Sequence, residues 1–311
     1  SEAGTEKAQQ AVELPHSDKF VVADGAVVFT DKLGRDVSIS QKPQRVIILD
    51  YNALDLWYHA GGTAVGRTGH ILVDSRADED EMGSEIKNVP IMNEAHDPVN
   101  IEMIVAQEPD LIIISPTNKT HLEAVESFEQ YNIPYFAWDY DDFDGFIENL
   151  ELFTLLNDRG DLYEKYASDN IIRVNAVREK ISGQEPVTMV MLLPHATNGI
   201  YALANSGYLG NLCEDMNLEN IAGVETSTVV SIESLLDIDP EWIFSRGGSG
   251  DGSEANAKAI FESYPLWSEL TAVKEGRFQH LPAELFLYHA NTRYADAYEY
   301  LANLVYPQIF N

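Results

Sequence analysis

Apolar residues fall along this chain in two rhythms: short unbroken runs that fit buried strands, and longer stretches spaced three and four apart that fit helices. Phe20 to Thr30 alternates apolar and polar residues around Asp24-Gly25, which predicts a β-hairpin. Asp31 to Lys42 continues extended, turning at Leu33-Gly34-Arg35. Arg45 to Leu49 reads as a buried strand, Ala53 to Ala60 as a helix stopped by Gly61-Gly62, and Ala64 to Gly66 as a short strand. A strand at Leu111 to Ile114, a helix from about His121 to Tyr131 and a strand at Pro134 to Trp138 follow. This alternation predicts a mainly parallel, doubly wound sheet. From Phe143 to about Ile181 there is no Pro and only two Gly, and apolar residues recur at helical spacing. A long helix is expected there, with Gly160 as the place for any break or bend. A second alternation starts at Val187 to Leu193, includes Trp242 to Ser245, and ends in a helix from Tyr294 to Leu304 before Pro307. The expected organisation is a disordered tether at 1–19, an α/β lobe at 20–142, a connecting helix at 143–182 and a second α/β lobe at 183–311.

One short pattern occurs twice. Asn100-Ile101-Glu102 runs to Glu108-Pro109-Asp110 and into Leu111; Ser231-Ile232-Glu233 runs to Asp239-Pro240-Glu241 and into Trp242. Glu102 matches Glu233 and Pro109 matches Pro240 at one offset (233 − 102 = 240 − 109 = 131). In each copy a polar cap opens a short helix, a Pro forces the residue before it out of helical space, and a strand-length apolar run follows. Two copies so far apart imply two α/β lobes of similar build, which leaves room for a site between them.

Composition narrows the partners more than the fold. The 311 residues suffice for two domains, each with its own core, and 45% apolar content is that of a globular chain. With 51 acidic against 20 basic residues the net charge is −31, which argues against nucleic acid or an anionic membrane surface as partner. No apolar run is long enough to span a bilayer, and no basic start precedes an apolar stretch as in a signal peptide. The one cysteine, Cys213, excludes an internal disulfide framework and any multi-cysteine metal site.

Further motifs carry a resemblance. Asp31-Lys32-Leu33-Gly34-Arg35 stands before Pro43-Gln44-Arg45-Val46-Ile47, and Val273-Lys274-Glu275-Gly276-Arg277 before Phe278-Gln279-His280-Leu281. With the two Glu-to-Pro units, and in this order, they make the chain resemble the substrate-binding proteins of ABC importers for iron complexes and cobalamin, from about Phe29 to Phe310. That resemblance implies two doubly wound α/β lobes joined by one long backbone helix, no catalysis and no enzyme cofactor. It also implies a monomer that is lipid-anchored on the outer face of the cell membrane or periplasmic. The ligand it implies is a ferric siderophore or haem, with a corrinoid or a free metal as alternatives. A permease dimer would then dock on Glu102 and Glu233, which also suit a helix first turn. Tyr201 to Gly210 and Glu219-Asn220-Ile221 resemble haem-binding lipoproteins more narrowly, but where those hold iron with Met and His this chain reads His96-Asp97 and Arg246-Gly247.

In open α/β lobes ligands sit beyond the carboxyl ends of the strands. The loops expected there supply Arg67, His70, Tyr140, His195, Arg246, Tyr288, His289 and Arg293 as ligand-binding candidates, and His96, His195, Tyr288 and His289 as iron ligands. Aromatic faces would bury a planar ligand, Arg forks would pair with its anionic oxygens, and His or ionised Tyr could ligate iron. Enzyme readings are weak: the chain has no nucleophile elbow, phosphate loop or His-Glu-x-x-His, and a nitrogenase-like metalloenzyme would want more cysteine.

Overall fold

A computed structural model describes residues 13–69, 81–94, 97–247 and 252–310. Asp24 and Gly25 both take positive φ (51° and 76°), as a two-residue hairpin turn requires, and join β1 (Val21–Ala23) to β2 (Ala26–Thr30). β3 (Asp36–Ser40) completes a three-stranded antiparallel sheet. Residues 13–19, expected as part of a tether, instead lie along the helix Phe143–Asn157. His16 Nδ1 is 2.7 Å from one oxygen of the buried Glu151 carboxylate, and the Ser17 amide donates to the other at 2.8 Å. A carboxylate placed under the surface needs donors, and this segment brings them. Residues 1–12 lie outside the described residues.

The first lobe is built on β4 (Val46–Ile48), β5 (Gly66–Gly69), β6 (Ile91–Glu94), β7 (Leu111–Ile114) and β8 (Tyr135–Ala137), ordered β6-β5-β4-β7-β8 with every pair parallel. Alternate residues of these strands enter different cores. Val46, Ile48, Leu111 and Ile113 face one, and Ile47, Ile112 and Ile114 the other. Helices cover both faces, which is why these strands read as continuous apolar runs.

In the second lobe the nine-residue β9 (Val187–His195) pairs in parallel with β13 (Trp242–Ser245), which pairs in parallel with β14 (Phe278–His280). The other edge of β9 is shared: β11 (Leu218–Asn220) runs parallel to its first half, and β10 (Gly199–Ala202) antiparallel to its second, with β12 (Thr228–Val230) beyond β10. The second sheet is therefore mixed. The fold class is as expected, two doubly wound α/β lobes joined by a long helix.

The stretch 143–182 holds two helices, Phe143–Asn157 and Gly160–Ile181. The first stops where Asp158 takes φ 54° as a left-handed cap. The 22-residue second helix leads to the second lobe and packs against the helix Tyr294–Val305. One hydrophobic core takes Ile48 from the first lobe, Phe146, Val174 and Val177 from these two helices, and Met191 and Phe244 from the second lobe. The lobes thus share a core besides having their own. Each large side chain in it is worth about 1.5–3 kcal/mol of burial, so rotating one lobe on the other is costly. Among the described residues, no helix is long and apolar enough to cross a membrane.

Candidate ligand-binding site between the lobes

The two copies of the repeated pattern have the same local chemistry. Asn100 caps the helix Ile101–Ala106 by accepting from the Met103 amide at 3.0 Å, and Ser231 caps Ile232–Ile238 by accepting from the Ser234 amide at 3.1 Å. Glu108 and Asp239 take φ 47° and 43° just before their prolines. The next residue ties down a strand start. The Asp110 carboxylate accepts from the Gln44 and Arg45 amides at 2.7 and 2.9 Å, and the Glu241 carboxylate from the Thr188 amide at 3.2 Å. One residue past β7 and β13 stand Ser115 and Arg246, again at the same offset (246 − 115 = 131).

Ser115 and Arg246 open into two adjoining cavities. One, of about 280 Å³, is lined mainly by the second lobe, including Met191, Tyr208, Cys213, Arg246 and Tyr288. The other, of about 180 Å³, is lined by first-lobe residues at or beyond strand ends, including Asp50, Ser115, Trp138, Asp139 and Tyr140. Asn52 and His289 line both, so together the cavities form one cleft between the lobes.

Arg246 is the main charge on the second-lobe side. Its Nη1 reaches the Leu287 carbonyl at 3.4 Å, while its buried Nε has no hydrogen-bond partner among the described residues. Burial lowers its pKa, opposed by neighbouring Tyr288. Tyr288 stands edge-on to Tyr51 of the first lobe at 5.4 Å between ring centres. His289 packs on Tyr140 at 4.4 Å and Tyr208 at 5.0 Å, and burial pushes its pKa down to about 3. It is therefore neutral at any physiological pH. Its Nδ1 is buried without a partner among the described residues, and its Nε2 lies 4.0 Å from Asp141. A neutral imidazole with a free nitrogen is a competent iron ligand or hydrogen-bond partner.

The segment carrying Tyr288 and His289 is pinned to the first lobe by a buried polar network that sequence reasoning did not find. The His289 amide donates to Asn52 Oδ1 at 3.2 Å. Asn291, at φ 49° and 1% exposed, donates to Asp55 Oδ2 at 2.6 Å and accepts from the Tyr140 hydroxyl. Its neighbour Thr292 accepts from Asn170 of the joining helix at 2.9 Å. Partners more than a hundred residues apart leave no local signal beyond Asn itself, which tolerates positive φ.

Several expected site residues stand elsewhere. The sequence puts Arg67 in a loop after a strand at 64–66, but β5 is Gly66–Gly69 and Arg67 lies inside it. Arg67 is 3% exposed and its guanidinium donates to the carbonyls of Ile86, Thr68 and Lys87, so it ties β5 to the helix Glu81–Lys87 and lines neither cavity. His195 also lines neither cavity. β9 runs on to it and returns as β10, pairing His195 with Gly199, and its ring meets Tyr201 edge-on at 5.3 Å. Arg293 is half exposed and pairs with Asp296 at 3.0 Å. His70 and His96 lie outside the described residues. Glu102 and Glu233 are exposed, each in the first turn of its short helix.

Residues 46–285 match the family model described as "Periplasmic binding protein", and the chain belongs to that family. It is 25% identical over 229 residues to a vitamin B12-binding protein of Vibrio campbellii, covering 72% of this chain and 79% of that one. To the Fe(3+)-citrate-binding protein YfmC of Bacillus subtilis it is 24% identical over 262 residues, covering 80% and 76%. The crystal structure of a TroA-like periplasmic binding protein, FepB, from Veillonella parvula superposes with a TM-score of 0.73 at 21% identity, over 91% of each chain.

Proposed function

We propose that this protein is the substrate-binding component of an ABC importer, held outside the cell or in the periplasm, which captures an iron complex between its lobes. The observation that carries this reading is the half-buried guanidinium of Arg246, which lines the cleft beside Tyr288 and neutral His289 and whose buried Nε has no hydrogen-bond partner among the described residues. Leaving such a donor unmet costs about 1–3 kcal/mol, more for a charged group, and an anionic chelate oxygen would recover that cost. A ferric siderophore fits best, with haem next. A corrinoid is the second reading, favoured by the likeness to a vitamin B12-binding protein. The protein would act as a monomer, and the exposed first-turn carboxylates of Glu102 and Glu233, equivalent in the two repeats, would dock it on a permease dimer. The shared core supports a cleft already formed before ligand arrives, with only a small closure on binding.

A spectral titration with haemin beside fluorescence titrations with ferric siderophores and cobalamin tests the reading. Trp138 lines the cleft and reports directly. Saturable submicromolar quenching by one ferric chelate is the expected result. A shifted Soret band at one equivalent would make the ligand haem instead, and silence toward every probe would overturn the reading.

A further inference from the structure

The smaller cavity differs from the rest of the cleft, because aspartates stand in its lining and none stands in the larger one. The carboxylates of Asp50, Asp139 and Asp141 line it together with the side chain of Asn149. Asn149 belongs to the helix Phe143–Asn157 and is 2% exposed, and its Oδ1 has no hydrogen-bond partner among the described residues. A buried carbonyl without a donor costs about 1–3 kcal/mol, so keeping one beside carboxylates suits a donor that arrives with the ligand. The electrostatics agree. Burial pushes the Asp50 carboxyl up to about 6, opposed by the Ala53 amide that it caps at 2.9 Å and reinforced by the charge of Asp139. Asp139 is raised by burial and by Asp141, with Lys32 opposing. Among the described residues no three His, Cys, Asp or Glu side chains are grouped to hold a metal ion, so a bare cation is a poor occupant.

Resting on the reading that this cleft takes a chelate, the geometry points to a two-sided ligand. Its anionic oxygens turn toward Arg246, and a hydrogen-bond donor, a protonated amine or primary amide, enters the cavity of Asp50, Asp139 and Asn149. The cavity of about 180 Å³ has room for a chain end of a few heavy atoms, several times the roughly 30 Å³ share of a water. Haem, whose peripheral polar groups are carboxylates, carries no such donor.

Two matched pairs test this by fluorescence titration. One is a ferric linear trihydroxamate ending in a free amine, against the same chelate with that amine acetylated. The other is cobalamin against its derivative with one peripheral amide hydrolysed to an acid. We expect the member with the free amine or the intact primary amide, in at least one pair, to bind ten times or more tighter than its partner. Asp139→Asn and Asp50→Asn, the latter keeping the helix cap, should each cut that preference to threefold or less. Equal affinity within every pair that binds overturns the subsite and leaves the chelate reading standing. Binding of haemin or an anionic catecholate alone also overturns the subsite. No binding by any probe overturns both.

Discussion

The two lobes share one building plan and present opposite faces to the cleft. Capped helix, left-handed residue, proline and strand-tying carboxylate recur at the same offset in both. One residue past the central strand the likeness ends, with Ser115 on one side and Arg246 on the other. Around Ser115 the first lobe gathers Asp50, Asp139 and Asp141, while around Arg246 the second gathers Met191, Tyr208 and Tyr288. Positions that hold strands in place are repeated because each lobe must satisfy the same backbone groups. Positions beyond the strand ends carry no such duty and can differentiate.

The largest expected effect comes from breaking the second-lobe face. Arg246→Gln should weaken the best ferric chelate by 30-fold or more, since removing one partner of a buried charged contact costs about 2–5 kcal/mol. Titration of the purified variant checks this, with unchanged thermal unfolding as the control. Next comes the seam between the faces. Asn291→Ala removes hydrogen bonds to Asp55 and Tyr140 and puts a side chain disfavouring positive φ at 49°, so unfolding stability should fall by about 1–3 kcal/mol in denaturant. Asn291→Gly keeps the φ and should show the hydrogen-bond loss alone.

The first-lobe face gives a pH signature. A cationic group beside Asp50 is held by the ionised carboxylate, which predominates above about pH 6. Affinity for the amine-ended chelate should therefore rise with pH through 6 and be roughly tenfold weaker at pH 5 than at pH 7.5, with the acetylated chelate much flatter. His289 stays neutral over this window, so it does not confound the profile. The smallest effect on binding belongs to the exposed carboxylates. Glu102→Ala and Glu233→Ala should leave chelate affinity within twofold yet lower uptake into membrane vesicles carrying the permease, and unchanged uptake would remove them from docking.

Much of the scaffold was legible because its signals are local. The Asp24-Gly25 hairpin, the strand Trp242–Ser245, the caps at Asn100 and Ser231 and the last helix from Tyr294 all stand where period and capping put them. Arg67 shows how the site reading fails. A shift of the strand from 64–66 to Gly66–Gly69 moved it from a strand-end loop into a strand, where its guanidinium satisfies carbonyls instead of a ligand. His195 failed in the same way, since no pattern announced that β9 would return as β10. Arg246, Tyr140, Tyr288 and His289 do line the cleft. Asn149 and Asn291 were illegible, because an interior Asn looks like any other until its distant partners, or its lack of one, are seen.

The measurement that tests the central claim most directly is Trp138 quenching by a ferric chelate panel in the wild type and Arg246→Gln. The account predicts one chelate that saturates near one equivalent with submicromolar affinity, and a loss of 30-fold or more in the variant. Equal affinity in both proteins, or no quenching by any chelate, would contradict it.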